Sequence, residues 1–200
     1  KYHFLAWRNL ANSLGFDFTE EQNEQLKGVS RVKSLEILLD IGNVKLSEKK
    51  KRLLLEEKNN EYLEYVNKMT SDEILPGVLE ILNFLDENNI SYALGSASKN
   101  APLILEKVGL LERFFALVDG NDVTKAKPDP EVFLIAAKQL NMSPEDCVVF
   151  EDSVAGIQAA NTAQILSVGI GKKDVLNEAD FVFADFTEMD VDFIKELIKK

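Results

Sequence analysis

From about residue 71 onward the chain alternates short apolar runs with stretches of helical period, and few architectures accommodate that alternation. The runs cover residues 91–95, 116–118, 147–150, 165–170 and 181–183. Helical patterns separate them over 77–88, 100–108, 130–140 and 154–162, and a last helix opens at Val191. Parallel strands need long crossovers, usually a helix, whereas antiparallel strands can be joined by tight turns. The spacing therefore predicts an α/β fold: a doubly wound parallel sheet covered by helices on both faces. Asp129 is the expected cap of the helix that starts at Pro130, a favoured first position because proline has no N–H to leave unpaired.

The first 70 residues follow another grammar, helices alone. Phe4, Leu5, Trp7, Leu10, Ala11 and Leu14 recur at helical spacing, and Gly15 marks a stop. Thr19 to Gln22 has the form of a capping box. Ser30 is placed to cap a helix carrying Leu35, Leu38 and Leu39 that Gly42 ends, and Ser47 opens a long charged helix towards Met69. Two regions result, a helical one over 1–70 and an α/β one over 71–200, touching across a short hinge near 70–76. The pattern enters a helix directly at Lys1, with no lead-in, so an N-terminal segment is expected upstream.

Charge narrows the partners. The chain has 200 residues, 23 basic and 34 acidic side chains and a formal charge of −11. That balance disfavours polyanion binding through a broad basic face, so no nucleic-acid partner is expected; small phosphorylated ligands need only a few local donors. The charge is also uneven: residues 1–70 hold 12 basic and 11 acidic groups, the remainder 11 and 23. The one cysteine, Cys147, cannot form an intrachain disulfide, which suits a reducing, cytoplasmic setting, and its neighbours Val148 and Val149 suggest burial. No signal peptide is read at the start. The longest uncharged stretch, 154–171, contains Gln158, Asn161, Thr162 and Gln164, so no membrane span is expected.

In open α/β sheets ligands bind beyond the carboxyl ends of the strands. Those ends carry Ser96-Ala97-Ser98-Lys99-Asn100, then Lys127-Pro128, then Glu151-Asp152-Ser153. Together they supply what phosphoryl transfer needs. A hydroxyl and helix-start amides bind phosphate oxygens, a lysine offsets their charge, and adjacent carboxylates can hold Mg²⁺. Taken singly, Ser96 reads equally as a helix cap, Lys127 as a solvated loop residue, and Glu151-Asp152 as complements to a helix dipole. Their common edge sets them apart.

Strand-serine, Lys-Pro and strand-Glu-Asp-Ser followed by Ala155-Gly156-Ile157-Gln158 resemble the haloacid dehalogenase superfamily of phosphotransferases. Tyr2-His3-Phe4 with Trp7, Lys27-Gly28-Val29-Ser30-Arg31 with Ser34-Leu35, and Ser96-Ala97-Ser98-Lys99-Asn100 resemble its β-phosphoglucomutase branch. The resemblance implies that Ser96 binds the transferring phosphate, that Lys127 stabilises its charge, and that Glu151 and Asp152 are ligands of a Mg²⁺ cofactor. It makes residues 1–70 a helical cap whose Gly28, Val29, Ser30 and Arg31 hold the non-reacting phosphate. Ala97, Ser98, Lys99 and Asn100, with Trp7, Ser34 and Lys58 on the cap side, would complete the substrate contacts. For Trp7 helix core, and for Lys58 a solvated helix face, are competing readings; His3 is either a hinge or site residue or an ordinary helix position. A cis Lys127-Pro128 bond is implied as well. The implied reaction interconverts β-glucose 1-phosphate and glucose 6-phosphate through a bisphosphate and an aspartyl-phosphate, on a monomer. The superfamily's Asp-X-Asp nucleophile pair does not occur at the start of this chain and is expected just before Lys1. A sugar-phosphate phosphatase on the same fold, and a non-catalytic sugar-phosphate binder, are the alternatives.

Overall fold

The computed structural model describes residues 1–198. Four helices form the first half. In α1 (Tyr2–Ser13) the buried residues Ala6, Trp7, Leu10 and Ala11 recur at helical spacing on one face. Thr19 caps α2 (Glu20–Asn23) with both bonds of the capping box: Gln22 N donates to Thr19 Oγ1 at 3.2 Å, and Thr19 N to Gln22 Oε1 at 2.9 Å. Ser30 accepts from Lys33 N to start α3 (Arg31–Ile41), and Ser47 accepts from Lys50 N to start α4 (Glu48–Val66). Each such cap stabilises its helix by about 1 kcal/mol. Trp7, Leu10, Phe18, Leu35, Leu38 and Leu54 meet in one core.

The buried stripe of α4 is Leu54, Lys58, Tyr62 and Val66, spaced by four. Three members suit a core. The fourth is a lysine only 2% exposed, and lysine is almost never buried without a partner.

The second half runs α5 (Val78–Glu87), β1 (Ala93–Gly95), α6 (Ala101–Lys107), β2 (Ala116–Val118), α7 (Glu131–Gln139), β3 (Val148–Glu151), α8 (Val154–Thr162), β4 (Leu166–Ile170), β5 (Phe181–Phe183) and α9 (Val191–Ile198). Every strand pairing among the described residues is parallel. Ala93 lies opposite Ala116, Val148 opposite Leu166, and Val168 opposite Phe181. The α/β architecture is as the alternation predicts, but the strands form two ladders, β1-β2 and β3-β4-β5, and not one continuous sheet among the described residues. β1 and β3 therefore each carry a ladder on one edge alone. Parallel strands are normally covered on both faces, yet Leu94, Val149 and Phe150 are only half-buried.

Two local expectations need correction. Pro130, and not Asp129, is the residue flanking α7; Asp129 stands one position earlier, where its Oδ1 still accepts from Glu131 N at 3.1 Å. Cys147 is half-buried, just ahead of β3, with its Sγ directed at Ser143 O and its thiol pushed up mainly by burial. It precedes the strand, so it borders the core without entering it. The strand itself begins one residue later than expected and runs on into Glu151.

Candidate active site

The carboxyl ends of β1 and β3 converge on Lys127. Its Nζ donates to Glu151 Oε2 at 2.7 Å and to Gly95 O at 3.2 Å, and it sits 4.7 Å from the centroid of the Phe133 ring. Both partners of the ion pair are nearly inaccessible, 5% and 8% exposed in their side chains. One ammonium thus bridges the two ladders where neither bonds the other. The Lys127-Pro128 peptide is cis, as the resemblance implies.

The other oxygen of Glu151 is also engaged. Ser153 donates to Glu151 Oε1 through Oγ at 2.6 Å and through its N at 3.2 Å, while Ser153 Oγ accepts from Gly156 N at 3.1 Å and so caps α8. Glu151 lies directly over Gly156, where an added Cβ would fall 2.0 Å from Glu151 Cδ. That contact explains why this helix start needs glycine.

Asp152 points out of this network. Its side chain reaches solvent, yet the surrounding protein crowds it; partial desolvation first and the Glu151 charge second hold its carboxyl above the usual aspartate range, against the pull of Lys27 and Lys127. No cluster of three or more metal-ligating side chains forms among the described residues. Mg²⁺ does not require one. It favours oxygen donors, commonly takes one or two carboxylates plus substrate phosphate, and keeps water on its other positions. Asp152 with the neighbouring Glu151 is a donor set of that kind.

Ser96 follows β1, and its N donates to Val118 O at 2.8 Å, extending the ladder by one residue. Ser98 N donates to Ser96 Oγ at 3.1 Å, and Asn100 N to Ser98 Oγ at 3.2 Å. Two hydroxyls thus shape the turn that carries Ala97 and the exposed Lys99 into α6.

The helical half supplies the facing wall. Gly28 has φ +73°, a conformation open to glycine at no steric cost, and a Cβ there would stand 2.2 Å from Ser153 Oγ. The 27–31 loop is therefore seated against the Glu151-Asp152-Ser153 segment. Val29, Ser30 and Arg31 are half-buried, and burial holds the Arg31 guanidinium below its ordinary value. Ser34 is buried, and its hydroxyl donates to Ser30 O at 3.1 Å, bracing the loop from behind.

Near Arg31 the buried Lys58, Trp7 and Tyr62 meet His3, whose ring is crowded by protein on one side and reaches solvent on the other. Lys58 Nζ is 2.9 Å from His3 Nδ1, 4.5 Å from the centroid of Trp7 and 4.8 Å from that of Tyr62; the His3 and Tyr62 rings stack at 3.9 Å. Burial, then the Lys58 charge, pushes the imidazole down to about 3, so it stays neutral and Nδ1 can accept. Burial first and Arg31 second bring the Lys58 ammonium down to about 7. The reading of Lys58 as a solvated helix face is overturned. Trp7 is helix core and ring partner to Lys58 at once.

Three contributors escaped sequence reasoning. Ser153 was visible only as the last residue of the Glu151-Asp152-Ser153 segment, not as the residue that caps α8, holds Glu151 and meets Gly28. Glu131 binds the loop ahead of Lys127, accepting from Thr124 N at 2.9 Å, Lys125 N at 2.6 Å and Thr124 Oγ1 at 3.0 Å. Asn59, beside Lys58, accepts from Asn100 Nδ2 at 3.1 Å. The available signal was the polar Lys58-Asn59-Asn60 run in mid-helix.

The family model for haloacid dehalogenase-like hydrolases matches residues 2–164. The chain is 38% identical over 198 residues to a β-phosphoglucomutase of Bacillus subtilis, covering 98% of this chain and 88% of that protein. It is 34% identical over 166 residues to a phosphorylated carbohydrates phosphatase of Thermotoga maritima, covering 82% and 74%. A crystal structure of β-phosphoglucomutase from Clostridium difficile superposes with a TM-score of 0.92 at 40% identity, over 99% of this chain and 90% of that one.

Proposed function

The chain belongs to the haloacid dehalogenase-like hydrolase family, and from that premise we propose that it is a β-phosphoglucomutase-type phosphotransferase acting on a sugar phosphate. It interconverts β-glucose 1-phosphate and glucose 6-phosphate through a bisphosphate, with residues 1–70 as the cap and residues 71–200 as the core. One observation carries this reading: a cation stands on each side of the seam where Gly28 meets Ser153, Lys127 at the core's strand ends and the half-buried Arg31 on the cap loop, with Lys58 turned into the cap interior. A phosphatase needs to grip the reacting phosphate alone, whereas a mutase must hold a second one while the first reacts.

The geometry supports the following division of roles. Ser96 and the Ala97 and Lys99 amides, the ones of the 97–100 turn not spent on Ser96 Oγ and Ser98 Oγ, bind the transferring phosphate, and Lys127, fixed by Glu151 and Gly95 O, offsets charge on its oxygens. Arg31 clamps the distal phosphate with a planar fork that Lys cannot reproduce. Val29, Ser30, Lys99 and Asn100 line the sugar's path, and Trp7 and Ser34 act through Lys58 and the loop. Glu151 and Asp152 would hold Mg²⁺, which when bound neutralises phosphate charge and orients it for in-line transfer. Gly28 packed against Ser153 keeps water from the reacting phosphate, so that the phosphoryl group returns to sugar. A cytoplasmic monomer completes the reading. Among the described residues no helix is long and apolar enough to cross a membrane.

The test runs the full-length protein with Mg²⁺ and β-glucose 1-phosphate, following glucose 6-phosphate and free phosphate together. Glucose 6-phosphate should dominate. If free phosphate dominates, the protein is a phosphatase, as the Thermotoga relative is named; if neither forms, the non-catalytic reading replaces both.

A further inference from the structure

We propose that Asn59 is a positioning residue, a latch whose carboxamide ties the cap to Asn100 and keeps the substrate-binding turn in register only while the cleft is closed. The inference rests on the cap-and-core reading above.

The latch completes a series of hydrogen bonds. From the end of β1, Ser96 Oγ accepts from Ser98 N, Ser98 Oγ accepts from Asn100 N, and Asn100 Nδ2 donates to Asn59 Oδ1. The first three residues lie within one turn of a single loop. The last step spans 41 positions and crosses from core to cap. Orientation of the Asn100 amide is therefore set from two sides, by its own loop and by α4.

The surrounding interface gives that step its particular place. Asn59, Tyr62 and Val66 lie at i, i+3 and i+7 on α4, one face of the helix. Opposite them, Asn100, Leu103 and Ile104 lie at i, i+3 and i+4 at the start of α6. Leu103 and Ile104 pack against the buried cluster of Tyr62, Val66 and Ala6, which Met69 joins from the hinge side. Apolar contact of this kind is non-directional and survives small rotations. A hydrogen bond weakens steeply with distance and angle. The apolar end of the stripe thus serves as the pivot, and the amide pair at the cleft end reports closure. Asn59 is half-buried, which limits competition from water.

Lys58 and Asn59 divide the work on adjacent positions. Lys58 turns into the cap interior, to His3 and Trp7, while Asn59 reaches across to the core. Asn59 need not touch substrate; it acts through Asn100.

The experiment compares the full-length parent with Asn59→Ala and Asn59→Asp; the aspartate keeps an acceptor of the same shape. Loss of one neutral hydrogen bond corresponds to roughly a two- to twelve-fold shift in the closed-to-open ratio. Asn59→Ala should therefore lower the ratio of glucose 6-phosphate formed to free phosphate released by that factor, and Asn59→Asp should restore it to within about two-fold. Small-angle scattering without ligand should show Asn59→Ala more extended than the parent, with Asn59→Asp like the parent. An unchanged ratio and unchanged scattering in Asn59→Ala overturn the latch, as does an Asp variant that behaves like Ala. If the parent itself makes no glucose 6-phosphate, the mutase reading falls, and the scattering comparison still decides the latch.

Discussion

Replacing Lys127 by Met keeps the length and apolar stem of the side chain and removes its charge. Glu151 is then left 8% exposed, with the Ser153 donors on one oxygen and nothing on the other. Two unit charges about 4 Å apart at an effective dielectric near 20 interact by about 4 kcal/mol. Removing one partner of a buried pair costs about 3–5 kcal/mol, because the surviving charge stays desolvated. For a protein of this size that is a drop of roughly 6–20 °C in Tm. Lys127→Met/Glu151→Gln removes both charges and should recover most of the loss, lying within about 1–2 kcal/mol of the parent and well below the sum of the two single penalties. Urea and thermal melts of parent, both single variants and the double variant complete the cycle. Turnover should behave differently: the double variant regains stability and stays inactive, since the phosphate still lacks its lysine. Additive stabilities, or a Lys127→Met penalty below about 1 kcal/mol, would refute the idea that this pair joins the two ladders.

Asp152→Asn should abolish Mg²⁺-dependent turnover and leave the melting temperature nearly unchanged, because the Glu151 repulsion it relieves opposes the Lys27 and Lys127 attraction it forfeits; undiminished activity would remove it from the metal set. Gly28→Ala forces a Cβ to within 2.2 Å of Ser153 Oγ at φ +73°, so the loop must lift; free phosphate should rise at the expense of glucose 6-phosphate in the same assay, and an unchanged product ratio would count against the close seating. Lys58 is charged in the unfolded chain up to about pH 10.5 but in the fold only up to about 7, chiefly through burial. Its contribution to stability is therefore fully present above pH 10.5 and is lost as pH falls through about 7, and melts between pH 7 and 10 should rise with pH in the parent but stay flatter in Lys58→Met.

Much of this was legible without coordinates, and the misses share a cause. The caps at Thr19, Ser30 and Ser47 were readable because a helix start is a local contest between side-chain and backbone hydrogen bonds. The 154–162 helix was legible from its pattern between two apolar runs. Strand existence was readable too, but not pairing: apolar runs say nothing about which neighbour a strand takes, so one sheet was expected where two ladders stand. Lys58 shows a different limit. Periodicity placed Leu54, Tyr62 and Tyr65 on one helix, yet it cannot say whether a lysine in that stripe snorkels to water or meets an imidazole 55 residues away. Glu131 drew no reading from its place in the first turn of a helix; its carboxylate folds back on Thr124 and Lys125 because of a loop path that no spacing rule encodes.

Ser153 answers to three masters. Its hydroxyl caps the start of a helix, aims a carboxylate and forms the floor on which the opposite loop rests. Alanine would forfeit the first two services. Threonine would keep them and intrude on the third, adding a methyl where Gly28 already leaves no room for one. Asparagine could cap the helix, but its longer reach would displace Glu151. A position so placed has no neighbouring residue type through which change can pass by degrees. Drift in the loop must accommodate this serine, because the serine has no freedom to accommodate the loop.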